Sequence, residues 1–357
     1  MYLFSRQIDW LFLLLPVWLV WLVLFFLPDS ILLQEIPIWV WFLLVVGIDV
    51  SHVWSSLFRT YFDPHDRVNH QHLIRVLPVL VFFFCFAASY ASVSFFWRLM
   101  AYLALFHFVK QQFGFMALYA VKNGSRQNEA YKWDKYLIYF SMLYPVLYWH
   151  LHDDLHFSWF VSDDFLLNHW FDLPKIVFLI GNWVYWMIIG YWLIQKIRLG
   201  KKEFMNQLPM ILWILTTAGN WYLGIVYFNS DLAFTATNVV AHGIPYLVLI
   251  VYYKKKKDGI VNQKKKNYWR IALLVIGVCL FFGVIEEYLW DLLVNQDKKE
   301  LFSSFLYYVE WHNDNRFLTA LFIGILSVPQ VTHYVLDAYI WKNNDSNPFV
   351  KKVFSSR

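Results

Sequence analysis

Long apolar runs, each close to the ~20 residues that cross a hydrocarbon core as a helix, fill the chain almost end to end. Ten are read: 10–27, 36–58, 73–96, 98–121, 133–150, 175–195, 208–228, 232–253, 269–290 and 316–341. The first begins at Trp10 with no small-residue cleavage site, which predicts an uncleaved helix rather than a signal peptide. The third and fourth are parted only by Phe96-Trp97-Arg98, which predicts a tight hairpin. The expected fold is all-α: a single integral membrane domain over 1–357, built as a polytopic transmembrane bundle of about ten spans.

The polar segments between these runs alternate in charge. Segment 122–135 carries Lys122, Arg126, Lys132 and Lys135; segment 196–202 carries Lys196, Arg198, Lys201 and Lys202. Segment 254–270 carries Lys254 to Lys257, Lys264 to Lys266 and Arg270. Between them, 151–174 holds Asp153, Asp154, Asp163, Asp164 and Asp172 and no Lys or Arg. Lys and Arg are retained on the cytoplasmic side, so ten spans with both termini inside satisfy every loop. The expected location is a bacterial-type inner (plasma) membrane. The lysine run 254–266 reads as a solvated loop that obeys this rule.

Composition agrees with the pattern. The chain is 59% hydrophobic and 15% charged, too few charges for a solvated globule. Trp10, Trp39, Trp97, Trp133 and Trp341 sit near the ends of apolar runs, where amphipathic rings meet headgroups. The net charge of +5 follows from the loop asymmetry and calls for no nucleic-acid partner. Cys85 and Cys279 stand alone in apolar stretches and read as buried thiols. No internal repeat is evident, because the polar signals fall on runs 2, 4, 8 and 10 rather than on the pairs an inverted repeat would match.

Those signals carry the functional expectation. Ionisable side chains inside a bilayer are costly and face a protein interior or a water-filled cavity. Run 2 has Asp49 and His52; run 4 has His107, Lys110 and Gln111; run 8 has Asn238 and His242; run 10 has Gln330, His333 and Asp337. Residues three and four apart share a helix face, so each run presents a polar stripe. At 1.5 Å per residue the four histidines fall at depths that overlap within about two turns. Neutral imidazole is a common ligand for iron, copper and zinc, and its second nitrogen is usually held by a carboxylate or amide. The expected metal site is His52, His107, His242 and His333 holding iron, with Asp49, Asn238 and Asp337 as partners of the rings. Asp49, Lys110 and Asp337 are the candidate catalytic charges, with Lys110 expected on one of the two carboxylates.

Two further histidine groups read as loops. His65, His70 and His72 follow run 2 in a connector that loosely resembles the histidine boxes of membrane di-iron desaturases but holds no His-His pair. His150, His152 and His156 lie with Asp153 and Asp154 in a polar loop outside run 5. Phosphate-binding glycine loops, Gly-x-Ser-x-Gly, His-Glu-x-x-His and Cys-x-x-Cys are all missing from the sequence.

Phe106-His107-Phe108, with a histidine on run 2 and others on late runs, resembles the Brp/Blh-type membrane carotenoid dioxygenases. The resemblance implies one iron held by histidines from several spans, cleaving a polyene with oxygen. His107 carries the local match; His52 follows an Asp rather than preceding one, and His242 and His333 stand on separate runs. His333-Tyr334-x-x-Asp337 resembles the His and Asp of sphingomyelin-synthase-type phosphotransferases, without their Ser-Gly-His motif. Three function classes follow. The first is a membrane-embedded iron oxidoreductase whose partners are the lipid bilayer and a lipid-soluble substrate. The second is a transporter with Asp49, Lys110 and Asp337 as a charge relay. The third is a lipid-modifying transferase using His333 and Asp337.

Overall fold

The computed structural model describes residues 1–152, 155–166, 173–262, 267–302, 315–342 and 344–354. All regular structure among them is helical. In chain order, α1 (Arg6–Phe26) and α2 (Ile38–Arg59) precede a short α3 (Pro64–Asn69), then α4 (Gln71–Ala91) and α5 (Val93–Asn123). After α6 (Ala130–Leu151) come α7 (Lys175–Arg198), α8 (Lys201–Tyr227), α9 (Asp231–Val261) and α10 (Tyr268–Asn295). The chain closes with α11 (Arg316–Leu326), α12 (Val328–Ile340) and α13 (Pro348–Phe354).

Eight of these helices, α1, α2, α4, α5 and α7 to α10, are long and apolar enough to cross a membrane. The pair α11 and α12, bent by 40° at their junction, makes a ninth if counted as one span. The sequence pattern predicts ten. The tenth run, 133–150, falls on α6, whose 22 residues are long enough to cross but whose tyrosines, with Asp134 and Lys135 at its start, keep it outside the strongly apolar set. Asp134 is buried there against Lys196 of α7, 2.7 Å away, and accepts from Trp192 Nε1 at 2.8 Å. Lys196, expected in a loop, is thus a buried partner of α6. Of the loop charges read from the sequence, Asp153, Asp154, Asp172 and Lys264 to Lys266 lie outside the described residues.

The helices group into two compact units. One holds Met1–Glu35, Leu105–His242 and Phe354–Arg357; the other holds Ile36–Ala104 and Gly243–Val353. In the first, α8 lies at the core, with Trp213, Ile214 and Trp221 buried. Gly219 lets α1 approach, since a Cβ there would stand 2.8 Å from the Trp21 ring. Polar pairs lock the same contact: Trp18 Nε1 donates to Thr216 Oγ1 (2.9 Å) and Trp21 Nε1 to Asn220 Oδ1 (3.1 Å).

In the second unit, α2 changes gauge along its length. Phe42–Val50 is π-helical, followed by an α turn and a 3₁₀ turn to Arg59. The Ser51 hydroxyl reaches back five residues to Val46 O (2.8 Å), which supports the widened turn. Two glycines let neighbouring helices close on it: a Cβ on Gly243 of α9 would lie 2.5 Å from Ile48 Cγ2, and one on Gly283 of α10 would lie 3.3 Å from Val46 O. Single π turns inside helices occur often at functional sites, and this one leads directly into His52.

Prolines inside helices expose a second constraint. Each removes one N–H and orphans the carbonyl four residues earlier, which in hydrocarbon has no water to turn to. Side chains supply the missing donors. Tyr61 Oη donates to Ile74 O (2.8 Å) for Pro78, and Tyr185 Oη to Ser141 O (2.9 Å) for Pro145. Gln112 Nε2 donates to Ala241 O (3.0 Å) for Pro245. So α9 runs unbroken through Pro245, whereas the chain bends at Ser327 beside Pro329.

This account makes a prediction. Tyr61→Phe should destabilise the detergent-solubilised protein by about 1–3 kcal/mol, the cost of a buried unsatisfied carbonyl. In a Pro78→Ala background the same change should cost clearly less, because the backbone then supplies the N–H. Equal costs in both backgrounds, read from unfolding midpoints, refute the pairing.

Candidate metal centre

The four membrane histidines fall into two pairs, one in each unit. In the unit 36–104 with 243–353, the π-helical stretch of α2 delivers Asp49 and His52, with His52 Nδ1 3.5 Å from Asp49 Oδ1. On α12, His333 Nε2 lies 3.8 Å from Asp337 Oδ2, one turn away. The two imidazoles meet edge to face, with centroids 5.0 Å apart and planes at 78°. They offer ring nitrogens within 4.8 Å of each other, and both side chains are buried. Two nitrogens on one ion, each ~2.1 Å from it, stand at most ~4.2 Å apart, so a small rotation of either ring suffices for chelation.

Tyr246, which the sequence reading passed over, completes this group. Its ring stands edge-on to both imidazoles, with centroids 5.8 Å from His52 and 5.2 Å from His333. Its hydroxyl donates to Asp337 Oδ1 at 2.5 Å. The Asp337 carboxylate is thus held through one oxygen by Tyr246 while the other faces His333. On α10, Glu286 is a second addition, buried and accepting from Trp54 Nε1 at 2.6 Å. Gln330 Nε2 donates to Tyr334 Oη (2.7 Å), so Gln330 serves its own helix rather than a histidine.

Arg59 closes the end of this group beside α3. Fully buried, it pairs with Asp66, donates to Ile340 O, and reaches Asn347 Oδ1 at 3.3 Å. Its guanidinium lies 4.2 Å from the Tyr253 ring centroid and 5.0 Å from that of Trp341, whose indole N–H is 3.5 Å from Tyr246 Oη. Lys257 joins the cluster, 2.9 Å from Asp66 and 2.8 Å from Asp63. Asp63 also caps α3 through the amides of His65 and Asp66. Burial pushes its carboxyl up, but Lys257 and these amides outweigh that and leave it below the ordinary 3.8.

In the unit 1–35 with 105–242, His107 and His242 have centroids 5.0 Å apart at 78°. Phe108 stacks flat on His242 at 3.6 Å. Gln111 Nε2 donates to His242 O (3.1 Å). Asn238, expected to orient His242, instead gives its amide N–H to Phe234 O (2.9 Å) on its own helix. Lys110, expected on Asp49 or Asp337, is exposed, with Nζ 3.2 Å from Tyr139 Oη and 5.3 Å from the Phe113 centroid. The i, i+3 spacing placed Lys110 near the His107 face, but 300° of rotation leaves it 60° round the helix, enough to turn outward.

The histidines read as loop residues follow that reading only in part, since His65 lies on α3, His72 on α4 and His150 on α6. His65 is exposed and His70 is buried on Asn347 Oδ1 (2.9 Å). His150 Nδ1 contacts Val146 O (2.7 Å), and His152 stacks on Tyr148. Comparison with family models, curated proteins and solved structures yields no match to this chain.

The Asp63–Lys257 contact supplies a pH test. A depressed folded pKa contributes stability above the unfolded value, which is lost as pH falls through the folded one. Lys257→Met should therefore lower resistance to denaturant at pH 7, and that deficit should shrink as pH falls below the carboxylate range. A deficit unchanged by pH contradicts the charge pairing.

Proposed function

We propose that the chain is a membrane-embedded, metal-dependent oxidoreductase acting on a lipid-soluble substrate, with iron at His52 and His333. The observation that supports this reading is the buried imidazole pair, its nitrogens within 4.8 Å, flanked by the carboxylates of Asp49 and Asp337. Two histidines and one carboxylate, with positions left open, form a donor set suited to non-haem ferrous iron and oxidative chemistry. The chain's own residues do the positioning. Tyr246 holds Asp337, Trp341 reaches Tyr246 with Arg59 packed on its ring, and the glycine contacts at Ile48 and Val46 set the turn that presents His52. The charge-relay alternative loses its buried cation, since Lys110 is exposed.

Metal analysis of the detergent-purified protein tests the reading. Wild type should carry stoichiometric iron, and His52→Ala or His333→Ala should lose it while inserting normally, since each removes a ligand and little apolar area. The same measurement on His107→Ala and His242→Ala shows how much metal depends on the second pair. Wild-type protein without stoichiometric metal, after reconstitution with ferrous iron, refutes it.

The proposed orientation, with α6 crossing as a tenth span, places both termini in the cytoplasm of a bacterial-type inner (plasma) membrane, from the Lys and Arg alternation. Ser162 and Gln127 are exposed and lie in loops of opposite assignment. In intact cells an impermeant thiol reagent should label Ser162→Cys and spare Gln127→Cys. The reverse pattern overturns the orientation.

A further inference from the structure

A cavity of ≈400 Å³ lies in the unit 1–35 with 105–242, which holds neither His52 nor His333. It is formed where segment 155–166 folds over the end of α6 and the start of α9. Its size falls among small-molecule sites, which run ~300–1,000 Å³. Two kinds of residue line it. Trp149, Phe157 and Phe165 contribute aromatic surface, while Asp163, Asp164 and Asp231 contribute carboxylates. Among the described residues no Lys or Arg lines it.

The aromatic wall is built rather than incidental. Trp149 and Phe165 are buried, and Trp149 packs on Phe157 at 4.6 Å and on Phe165 at 4.5 Å between centroids. Phe234 of α9 backs the wall, stacked on Phe157 at 4.8 Å. Asp164 is spent on the loop itself, accepting from the Phe160 and Val161 amides at 2.5 and 3.2 Å. Asp163 and Asp231 supply the remaining negative charge.

We propose that this cavity binds a small organic cation of the alkylammonium class. The argument is chemical. Ring faces carry negative quadrupole charge and attract cations, more so in a desolvated site, and aromatic cages recognise quaternary ammonium groups in this way. Carboxylates in the lining add the long-range attraction that metal cations would also feel. A calcium ion would need six to eight oxygen ligands at once, whereas half of this lining is hydrocarbon. The mixed wall fits a cation that is itself apolar. The site stands apart from the iron reading and survives its failure.

The test uses the full-length protein in detergent and tetramethylammonium as the probe. Titration calorimetry should show saturable binding at one site per chain, unaffected by sodium chloride at equal ionic strength. Asp231→Asn, and separately Trp149→Leu, should weaken it about tenfold or more, the scale of a lost ion or cation–π contact. Because Trp149→Leu removes a buried ring, the milder Asp231→Asn decides if that variant fails to fold. Absence of saturable binding to wild type overturns the proposal. So does binding unchanged by Asp231→Asn, or binding of calcium in place of tetramethylammonium.

Discussion

The hydrocarbon core of a bilayer offers no hydrogen bonds, and the architecture of this chain follows from that single constraint. Helices satisfy their own backbone, which is why every described element is helical. Where proline breaks the pattern, a side chain from elsewhere must reach the stranded carbonyl. Tyr61, Tyr185 and Gln112 do so at three different prolines. The same rule sorts the charges. Asp134 meets Lys196 and Trp192, Asp9 accepts from the Leu3 and Phe4 amides and from Tyr119, and Arg59 meets Asp66.

Against that background the imidazole pair His52–His333 is distinctive, because Asp49, Asp337 and Tyr246 lie against it. The widened turn of α2 rests between Gly243 and Gly283, so backbone contact on both sides sets where His52 points. Tyr246 touches both rings and holds Asp337, and Trp341 links it to the Arg59 cluster. These contacts leave both rings within a small rotation of a shared ion. That is the condition a metal-binding constellation needs.

Much of this was legible in the sequence, and the failures share a cause. Helical spacing identified Asp49 with His52 and His333 with Asp337, because both contacts lie within one helix. Lys110 was placed on the wrong side because spacing gives a residue's face but not which neighbour that face meets. Glu286 was legible in principle, as an ionisable residue near the end of an apolar run, by the rule that singled out Asp49. Tyr246 was not: in a chain with 22% aromatic residues, one more tyrosine carries no signal until its neighbours are known. The run at 133–150 is indeed one helix, α6, less apolar than the other runs because of its tyrosines and the buried Asp134 that meets Lys196. Proline itself is an incomplete signal: Pro245 leaves α9 continuous, since Gln112 satisfies Ala241 O, whereas Pro329 lies beside the bend.

The central claim is that His52 and His333 are ligands of one ion, and X-ray absorption at the iron edge of the purified, reconstituted protein addresses it most directly. The account predicts a nitrogen and oxygen shell at about 2.0–2.2 Å with the outer-shell scattering of imidazole rings, weakened in His333→Ala. A shell of oxygen ligands without imidazole scattering, or a spectrum that His333→Ala leaves unchanged, would contradict it.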